Sequence, residues 1–366
     1  MKKHISLSIT ERCNLNCIYC FERSKCQKTM TFETAIKTIY YELENSPEYD
    51  EISCDFMGGE PFLEFELIKK VCEYFWSQDI PKKISFYTTT NGTLVHGEIM
   101  EWLRANRNRF SCMLSLDGTS ESHNHNRSNS FERIDIPFFI EMWPNMKVKA
   151  ITSKDTLINL SENVIFLHEV GFKKVEMKLA YGFDWNDKSV NEVLIGELNK
   201  LKFYYLSNTN IVPCTLLNFD FMQINYIDKP IKKWCNAGES TVSYDMEGNR
   251  YPCRYFQDLV KNKHISLEDM WTHNYSKIQE SLSGRCLLCK IRDLCRTCYA
   301  YNYECNHDFG KKECVSCTAT RTTITIAAEI VVNKYESLPN SIDSTQYEKA
   351  KIVCDAAKHN KWFIEL

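Results

Sequence analysis

Apolar residues follow two alternating patterns along the first part of the chain. Short segments rich in β-branched and aromatic residues are typical of buried parallel strands. They cover residues 4–10, 51–57, 83–89, 111–117, 148–152 and 174–180. Between them, apolar residues recur at helical spacing, most clearly over 32–45, 65–78 and 159–171. This alternation predicts an α/β fold with a parallel sheet, either a doubly wound sheet or a partial barrel.

The pattern changes after about Ser207. Residues 241–256 predict two short strands around a central turn. Residues 286–317 are dense in cysteine and have little apolar periodicity, so we expect this segment to depend on bound metal more than on a hydrophobic core. Helical spacing returns near the end of the chain, over 323–335 and 347–359.

Composition and charge narrow the function classes. The chain has 366 residues, 43% hydrophobic and 25% charged, which suits one large globular domain and a smaller one. A net charge of −3 gives no indication of nucleic acid or an anionic membrane as a partner. The N-terminus has no apolar signal-peptide region, and the most apolar late run, 324–332, is too short to span a bilayer. We therefore expect a cytoplasmic protein with no membrane partner.

Eighteen cysteines are unusual for such a protein. Disulfides rarely persist in a reducing compartment, so clustered thiols there indicate metal ligands or redox groups. Three cysteines lie within 13–20 and nine within 235–317. The middle of the chain, from Ser115 to Ile211, has none, so this distribution predicts two metal-binding regions joined by a cysteine-free scaffold. Cys54, Cys72 and Cys112 lie in apolar segments and are expected in the core.

The first cysteine group follows the first predicted strand. Cys13, Cys17 and Cys20 have the spacing C-x3-C-x2-C. Three thiolates can hold three irons of a cubane and leave the fourth iron open, as a catalytic zinc site leaves one position open for substrate. The alternatives are three unrelated buried cysteines, or part of a zinc site that lacks its fourth ligand.

In its context this group resembles the signature of radical SAM enzymes, in which the open iron binds the amino and carboxylate groups of S-adenosylmethionine (SAM). Three further motifs follow three successive strands: Gly-Gly-Glu-Pro at 58–61, Thr-Asn-Gly at 90–92, and Ser-Leu-Asp-Gly at 115–118 with His123 and Arg127 downstream. The resemblance implies an incomplete (β/α)6 barrel. It also implies SAM contacts from Tyr19, Gly58, Gly59, Glu60, Asn91, Ser115 and Arg127.

The second cysteine group contains a G-x4-C motif and two C-x2-C pairs. Its ligand candidates are Cys235, Cys253, Cys286, Cys289, Cys295, Cys298 and Cys317. The two pairs alone predict a four-thiolate zinc site. The whole pattern resembles the SPASM extension of radical SAM enzymes, which carries two auxiliary [4Fe–4S] clusters. One spacing departs from that family, because two residues separate Cys295 and Cys298 where three are usual.

The SPASM resemblance implies two ligand sets. The outer cluster would be held by Cys286, Cys289, Cys295 and a late cysteine, for which Cys317 is preferred over Cys314 because a predicted helix starts just after it. The inner cluster would be held by Cys235, Cys253 and Cys298, with Cys214 or a substrate thiolate at its fourth iron. The implied cofactors are SAM and three [4Fe–4S] clusters.

The resemblance also divides the chain into four segments. These are a radical SAM partial barrel over 1–207, a linker over 208–233, a SPASM domain over 234–321 and a C-terminal helical segment over 322–366. Because the sequence begins almost at the first strand, we expect no separate N-terminal recognition domain. Peptide recognition would then come from the barrel mouth, the SPASM region, the C-terminal helices or another protein.

The implied activity is that of a radical SAM enzyme that modifies a peptide. Reductive cleavage of SAM gives a 5′-deoxyadenosyl radical, which would abstract hydrogen and lead to a thioether or a carbon–carbon or carbon–oxygen crosslink in a ribosomally made peptide. A flavodoxin- or ferredoxin-type protein would supply the electron. One alternative is an anaerobic sulfatase maturase, but Arg254 replaces the Asp that serves as base in that group. An alternative of another class is a non-catalytic zinc-binding interaction module.

Overall fold

The computed structural model describes residues 1–22, 26–225, 233, 235–277, 282, 284–312 and 315–364. The described chain forms two compact units. The first comprises Met1–Leu116, His123–Lys149 and Asn236–Tyr275, and the second comprises Asp117–Ser122, Ala150–Cys235 and Ser276–Leu366. The four segments expected from the sequence stay a prediction.

The regular elements are as follows. The strands are β1 (Lys2–Thr10), β2 (Glu51–Gly58), β3 (Lys83–Thr90), β4 (Phe110–Leu114), β5 (Lys147–Thr152), β6 (Lys174–Leu179), β7 (Thr241–Tyr244) and β8 (Arg250–Tyr251). The helices are α1 (Phe32–Glu44), α2 (Phe65–Ser77), α3 (Gly97–Ala105), α4 (Ser120–Asn126), α5 (Ile136–Met142), α6 (Leu160–Glu169), α7 (Lys188–Ser207), α8 (Arg254–Lys261), α9 (Leu267–Met270), α10 (Tyr299–Asn306), α11 (Cys317–Ser337) and α12 (Ser344–Lys358). Short 3₁₀ turns lie at Pro61–Glu64, Phe131–Arg133, Leu157–Asn159, Phe221–Gln223, Gly284–Cys286 and Pro339–Ser341.

The first unit is built on a parallel sheet. Its strand order is β4–β3–β2–β1–β7–β8, in which only β8 runs antiparallel to its neighbour, while β5 and β6 form a two-stranded sheet of their own. The six predicted strands are present as β1 to β6, and the three predicted helices correspond to α1, α2 and α6. β4 ends at Leu114, earlier than predicted, because Ser115 leaves the strand and pairs with Lys149.

The core of the first unit lies on both faces of β2. Residues on both sides of this strand are buried: Ile52, Cys54 and Phe56 are apolar, and the polar Ser53 and Asp55 that alternate with them are buried as well. Phe56 stacks on Phe86 with ring centroids 5.8 Å apart. The predicted core positions of Cys54, Cys72 and Cys112 are confirmed. Among the described residues, no helix combines the length and apolar character that a bilayer crossing requires.

A buried carboxylate attaches the β7–β8 hairpin to the first strand. Glu42 on α1 is 1% exposed and accepts hydrogen bonds from Tyr244 Oη and Arg250 Nε, both at 2.6 Å, and it pairs with Lys3 Nζ at 2.8 Å. Burial raises the pKa of Glu42, but the bonds from Arg250, Lys3 and Tyr244 outweigh this effect and hold the pKa below its ordinary value. The hairpin leads directly into Cys253, so this carboxylate helps to position a predicted cluster ligand.

We expect Glu42→Gln to destabilise the protein by about 3 kcal/mol, because it leaves the buried Lys3 and the partly buried Arg250 without their anion. The loss should be measured by urea unfolding, with Glu44→Gln, an exposed residue of the same helix, as the control. Since the folded pKa of Glu42 is lowered, its contribution is present at neutral pH and is lost as the pH falls through that value. Equal stabilities of the two variants at pH 7 would contradict the assigned role.

Candidate active site

The C-x3-C-x2-C loop lies between β1 and α1, at the carboxyl end of β1. Cys13, Cys17 and Cys20 are all partly exposed. The loop is folded on itself: the N–H of Cys20 donates to the Cys17 carbonyl at 3.1 Å, and the N–H of Leu15 donates to Cys13 Sγ at 3.4 Å. Three thiols on one ordered loop at the carboxyl edge of a parallel sheet fit the donor set of an iron–sulfur cluster.

Two glycines at the end of β2 allow the chain to reach this loop. The N–H of Gly59 donates to the Thr10 carbonyl at 3.0 Å, and the N–H of Glu60 donates to the Arg12 carbonyl at 2.8 Å. A Cβ on Gly58 would overlap the Thr10 carbonyl oxygen, and a Cβ on Gly59 would overlap that of Arg12. The Gly-Gly pair is therefore required by a close approach of two backbones, immediately before Cys13.

Glu60 joins the ends of β2 and β3. It is 1% exposed, and its carboxylate accepts bonds from Thr90 Oγ1 at 2.7 Å, from the N–H of Asn91 at 2.8 Å and from the N–H of Phe62 at 3.1 Å. Burial raises the pKa of Glu60, and these donors with the nearby Arg127 offset only part of that effect. The structure thus gives Glu60 a framework role, while its predicted contact with SAM stays a prediction.

The side chain of Asn91 holds the cysteine loop. Its Nδ2 donates to Asn14 Oδ1 at 2.9 Å, and its Oδ1 accepts from Thr93 Oγ1 at 2.7 Å. Asn14 in turn donates to Thr93 Oγ1 at 2.8 Å. Asn91 was predicted from the sequence as a cofactor contact, whereas Asn14 and Thr93 were not predicted, because the sequence gives no sign that these two loops meet. Asn91 is thereby a positioning residue for the segment next to Cys13.

Arg127 and Tyr19 lie together. The guanidinium is 5.5 Å from the centre of the Tyr19 ring, within the range of a cation–π interaction. The end of α4 is tied to the cysteine loop, since the N–H of Ile18 donates to the Asn126 carbonyl at 3.0 Å. Ser115 is partly buried, and its N–H donates to the carbonyl of the last β3 residue at 2.9 Å. The sequence-predicted SAM contacts thus belong to one unit, on loops that follow β1 to β4.

Arg254 also contacts this loop, which the sequence did not indicate. Its guanidinium is 5% exposed and forms an ion pair with Glu22, two residues after Cys20. It also lies 3.5 Å from Asp258 Oδ1 and 5.7 Å from the centre of the Phe21 ring. Arg254 therefore links the helix after Cys253 to the first cysteine loop.

Four cysteines of the second unit line one cavity of about 370 Å³; they are Cys286, Cys289, Cys295 and Cys317. This is the set predicted for the outer cluster, and Cys314 lies outside the described residues. Burial, followed by the neighbouring thiols, raises the pKa of Cys286 to about 11. Neighbouring thiols lose their protons when they bind metal. A group of four such thiols therefore suits the positively charged core of an iron–sulfur cluster.

The described residues contain no group of three or more His, Cys, Asp or Glu side chains placed to hold a single metal ion. A cubane binds each thiolate at a different corner, so its ligands stand farther apart than those around one ion. The absence of a single-ion site among the described residues is therefore compatible with a cluster in the cysteine-lined cavity.

The inner ligand set is divided between the two units. Cys298 lines a different cavity, of about 210 Å³. Burial, and after it the nearby Cys235, raises the pKa of Cys298 to about 11. Cys253 belongs to the first unit, so this set stays a prediction. Cys214 is fully buried, and its N–H donates to Tyr205 Oη at 2.9 Å.

Comparison with known proteins identifies related sequences. A family model described as the radical SAM superfamily matches residues 7–194. The radical SAM cyclopropyl synthase TigE of Paramaledivibacter caminithermalis is 32% identical over 330 residues, covering 80% of this chain and 66% of that protein. The cysteine-type anaerobic sulfatase-maturating enzyme of Clostridium perfringens is 24% identical over 326 residues, covering 78% and 85%. The chain spans 35% and 66% of the first two curated relatives that it matches.

A solved structure supports the fold. The structure of anSMEcpe with bound AdoMet has a TM-score of 0.68 and 19% identity, and the match covers 96% of this chain and 98% of that chain. Another structure of anSMEcpe contains AdoMet and a Cp18Cys peptide. At this identity the likeness is one of fold. It confirms the predicted α/β architecture.

We expect Gly59→Ala to disturb the first cysteine loop, because the added Cβ meets the Arg12 backbone. The reconstituted variant should lose most of the electron paramagnetic resonance (EPR) signal of the first cluster and keep the iron bound by the second cysteine region. Gly196→Ala is the matched control, since a Cβ there enters open space on α7. Full first-cluster signal in Gly59→Ala would show that the loop tolerates the displacement.

Arg127→Ala should weaken SAM binding about ten- to hundredfold, because a hydrogen bond to a charged partner contributes about 1.5–3 kcal/mol. Arg127→Lys should recover little, since an ammonium reproduces neither the guanidinium fork nor its stacking on Tyr19. Calorimetry on reconstituted protein measures the affinity, with iron content checked in parallel. The exposed Arg133→Ala serves as control. Unchanged affinity in both Arg127 variants would place the SAM site elsewhere.

Proposed function

The chain belongs to the radical SAM superfamily, and we propose that it installs an intramolecular crosslink in a ribosomally made peptide. It is an enzyme of the type that includes peptide maturases and sulfatase maturases. The bond formed would be a thioether or a carbon–carbon or carbon–oxygen bond. SAM and an iron–sulfur cluster are the cofactors of this superfamily, and two further [4Fe–4S] clusters are part of the proposal.

The observation that carries the proposal is the cavity lined by Cys286, Cys289, Cys295 and Cys317. The C-x3-C-x2-C loop already supplies the thiols for a SAM-binding cluster. A second group of four thiols around one space supports an auxiliary cluster, which suits a SPASM-type peptide maturase. A peptide substrate is further supported by the Cp18Cys peptide in the solved anSMEcpe structure.

Bound SAM would supply the radical that abstracts hydrogen from a peptide carbon, and the protein would orient and shield it. Cys13, Cys17 and Cys20 would hold the first cluster. Arg127 would pair with the SAM carboxylate, and the remaining predicted contacts are Tyr19, Gly58, Gly59, Glu60, Asn91 and Ser115. The electron would come from a flavodoxin- or ferredoxin-type protein.

The outer cluster would be held by the four thiols of the cavity, and the inner one by Cys235, Cys253 and Cys298. The fourth iron of the inner cluster would bind Cys214 or a substrate thiolate. We place the partial barrel over 1–207 and the SPASM domain over 234–321, with a linker between them and the helical segment 322–366 after them. The pair α11 and α12 supports this last segment.

The sulfatase maturases that this chain resembles have their base at the position that corresponds to Arg254, so this alternative would need a base elsewhere in the chain. A guanidinium stays protonated in proteins, and here it is also buried in an ion pair with Glu22. Arg254 therefore cannot accept the proton.

The zinc-binding module is distinguished by colour: an anaerobically purified cluster protein is brown, whereas a zinc protein is colourless.

The test is turnover of a peptide. The reconstituted enzyme, with SAM and reductant, should remove two hydrogen atoms from a cysteine- or repeat-rich peptide encoded beside its gene, as measured by mass spectrometry. The variant with Cys13, Cys17 and Cys20 all changed to Ala is the inactive control. A sulfatase peptide with a Cys or Ser motif should stay unmodified. Formylglycine formation well above uncoupled SAM cleavage would overturn the assignment in favour of a sulfatase maturase.

A further inference from the structure

A lysine contacts one thiol of the cysteine-lined cavity. Lys312 Nζ donates to Cys295 Sγ at 2.7 Å, and the half-buried lysine itself lines the cavity. An ammonium at this distance from sulfur forms a charge-assisted hydrogen bond once the thiol is ionised.

We propose that Lys312 raises the reduction potential of the outer auxiliary cluster. This inference rests on the proposed function, in which Cys295 is one of four cluster ligands. Hydrogen bonds to the sulfurs and the net charge around a cluster are among the factors that set its potential. Lys312 provides both at one ligand.

A cation beside a cluster shifts its reduction potential in one direction. Four thiolates outweigh the positive charge of an oxidised cubane core, so the site is anionic and one-electron reduction makes it more so. A cation bonded to a ligand sulfur stabilises the reduced form more than the oxidised form. Because the cavity is partly shielded from water, this attraction is screened less than it would be at an open surface.

The other cations around the cavity are placed differently. Arg292 is buried, lies 3.8 Å from Asp293 Oδ1 and donates to the Leu287 carbonyl at 2.8 Å. Arg321 lies over the Trp362 and Phe363 rings at 5.1 and 5.3 Å. Arg285 lies over the Phe363 ring at 5.9 Å. These charges form a cationic surrounding, whereas Lys312 donates to the ligand sulfur itself. Lys312 is therefore the side chain to test.

The experiment is a redox titration of reconstituted protein followed by EPR, with iron counted in parallel. Wild type should bind about twelve irons, from three cubanes. Lys312→Met should lower the reduction equilibrium constant of one cluster about tenfold. For a one-electron couple this corresponds to a potential about 59 mV lower. The other two potentials should not change. Lys311→Met is the matched control, because it removes the same charge from the exposed neighbouring residue.

The outcomes separate the two proposals. Full iron content with unchanged potentials in Lys312→Met would overturn the tuning role and leave the proposed function intact. Wild type that binds only the iron of the first cluster would remove the auxiliary cluster, and both proposals with it. If Lys312→Met fails to hold its iron, Lys312→Gln replaces it, since the amide keeps a donor but loses the charge. Its potential should lie between those expected for wild type and Lys312→Met, and a wild-type value would contradict the inference.

Discussion

The candidate active site depends on a backbone contact at the carboxyl edge of the sheet. The chain leaving β1 lies so close to Gly58 and Gly59 that neither position has room for a Cβ. Two backbone hydrogen bonds, to the carbonyls of Thr10 and Arg12, hold this contact. Since Cys13 is the next residue, the position where the cysteine loop starts is set by main-chain atoms. Such a contact is stiffer than one between flexible side chains.

The buried carboxylate of Glu60 then joins the end of β2 to the end of β3. Removing Glu60 from water is costly unless its oxygens are bonded, and three donors from Thr90, Asn91 and Phe62 meet that requirement. The side chain of Asn91 donates in turn to Asn14, which holds the cysteine loop against the end of β3. A fully bonded polar network of this kind specifies one arrangement of its loops, so the loop geometry is preorganised by the chain itself.

The sequence was sufficient for the strands and for the order of the motifs, since both follow from local patterns. Apolar runs located β1 to β6, and the Gly-Gly-Glu-Pro and Thr-Asn-Gly motifs lie where those strands end. The α7 helix was not singled out, although Leu194, Leu198 and Leu201 share the helical spacing that marked α1 and α2. The ion pair of Glu22 with Arg254 could not be predicted. It joins residue types that usually lie on the surface, from distant parts of the chain.

A shared fold leaves the role of an individual position open, as Arg254 illustrates. The fold likeness to anSMEcpe extends over nearly the whole chain, yet it does not decide which proton acceptor is present. At position 254 this chain carries a guanidinium, which stays protonated and cannot serve as a base. A buried cation needs an anion nearby, and Glu22 on the first cysteine loop provides it. Arg254 and Glu22 therefore form one unit, which links the helix after Cys253 to the loop that carries Cys20.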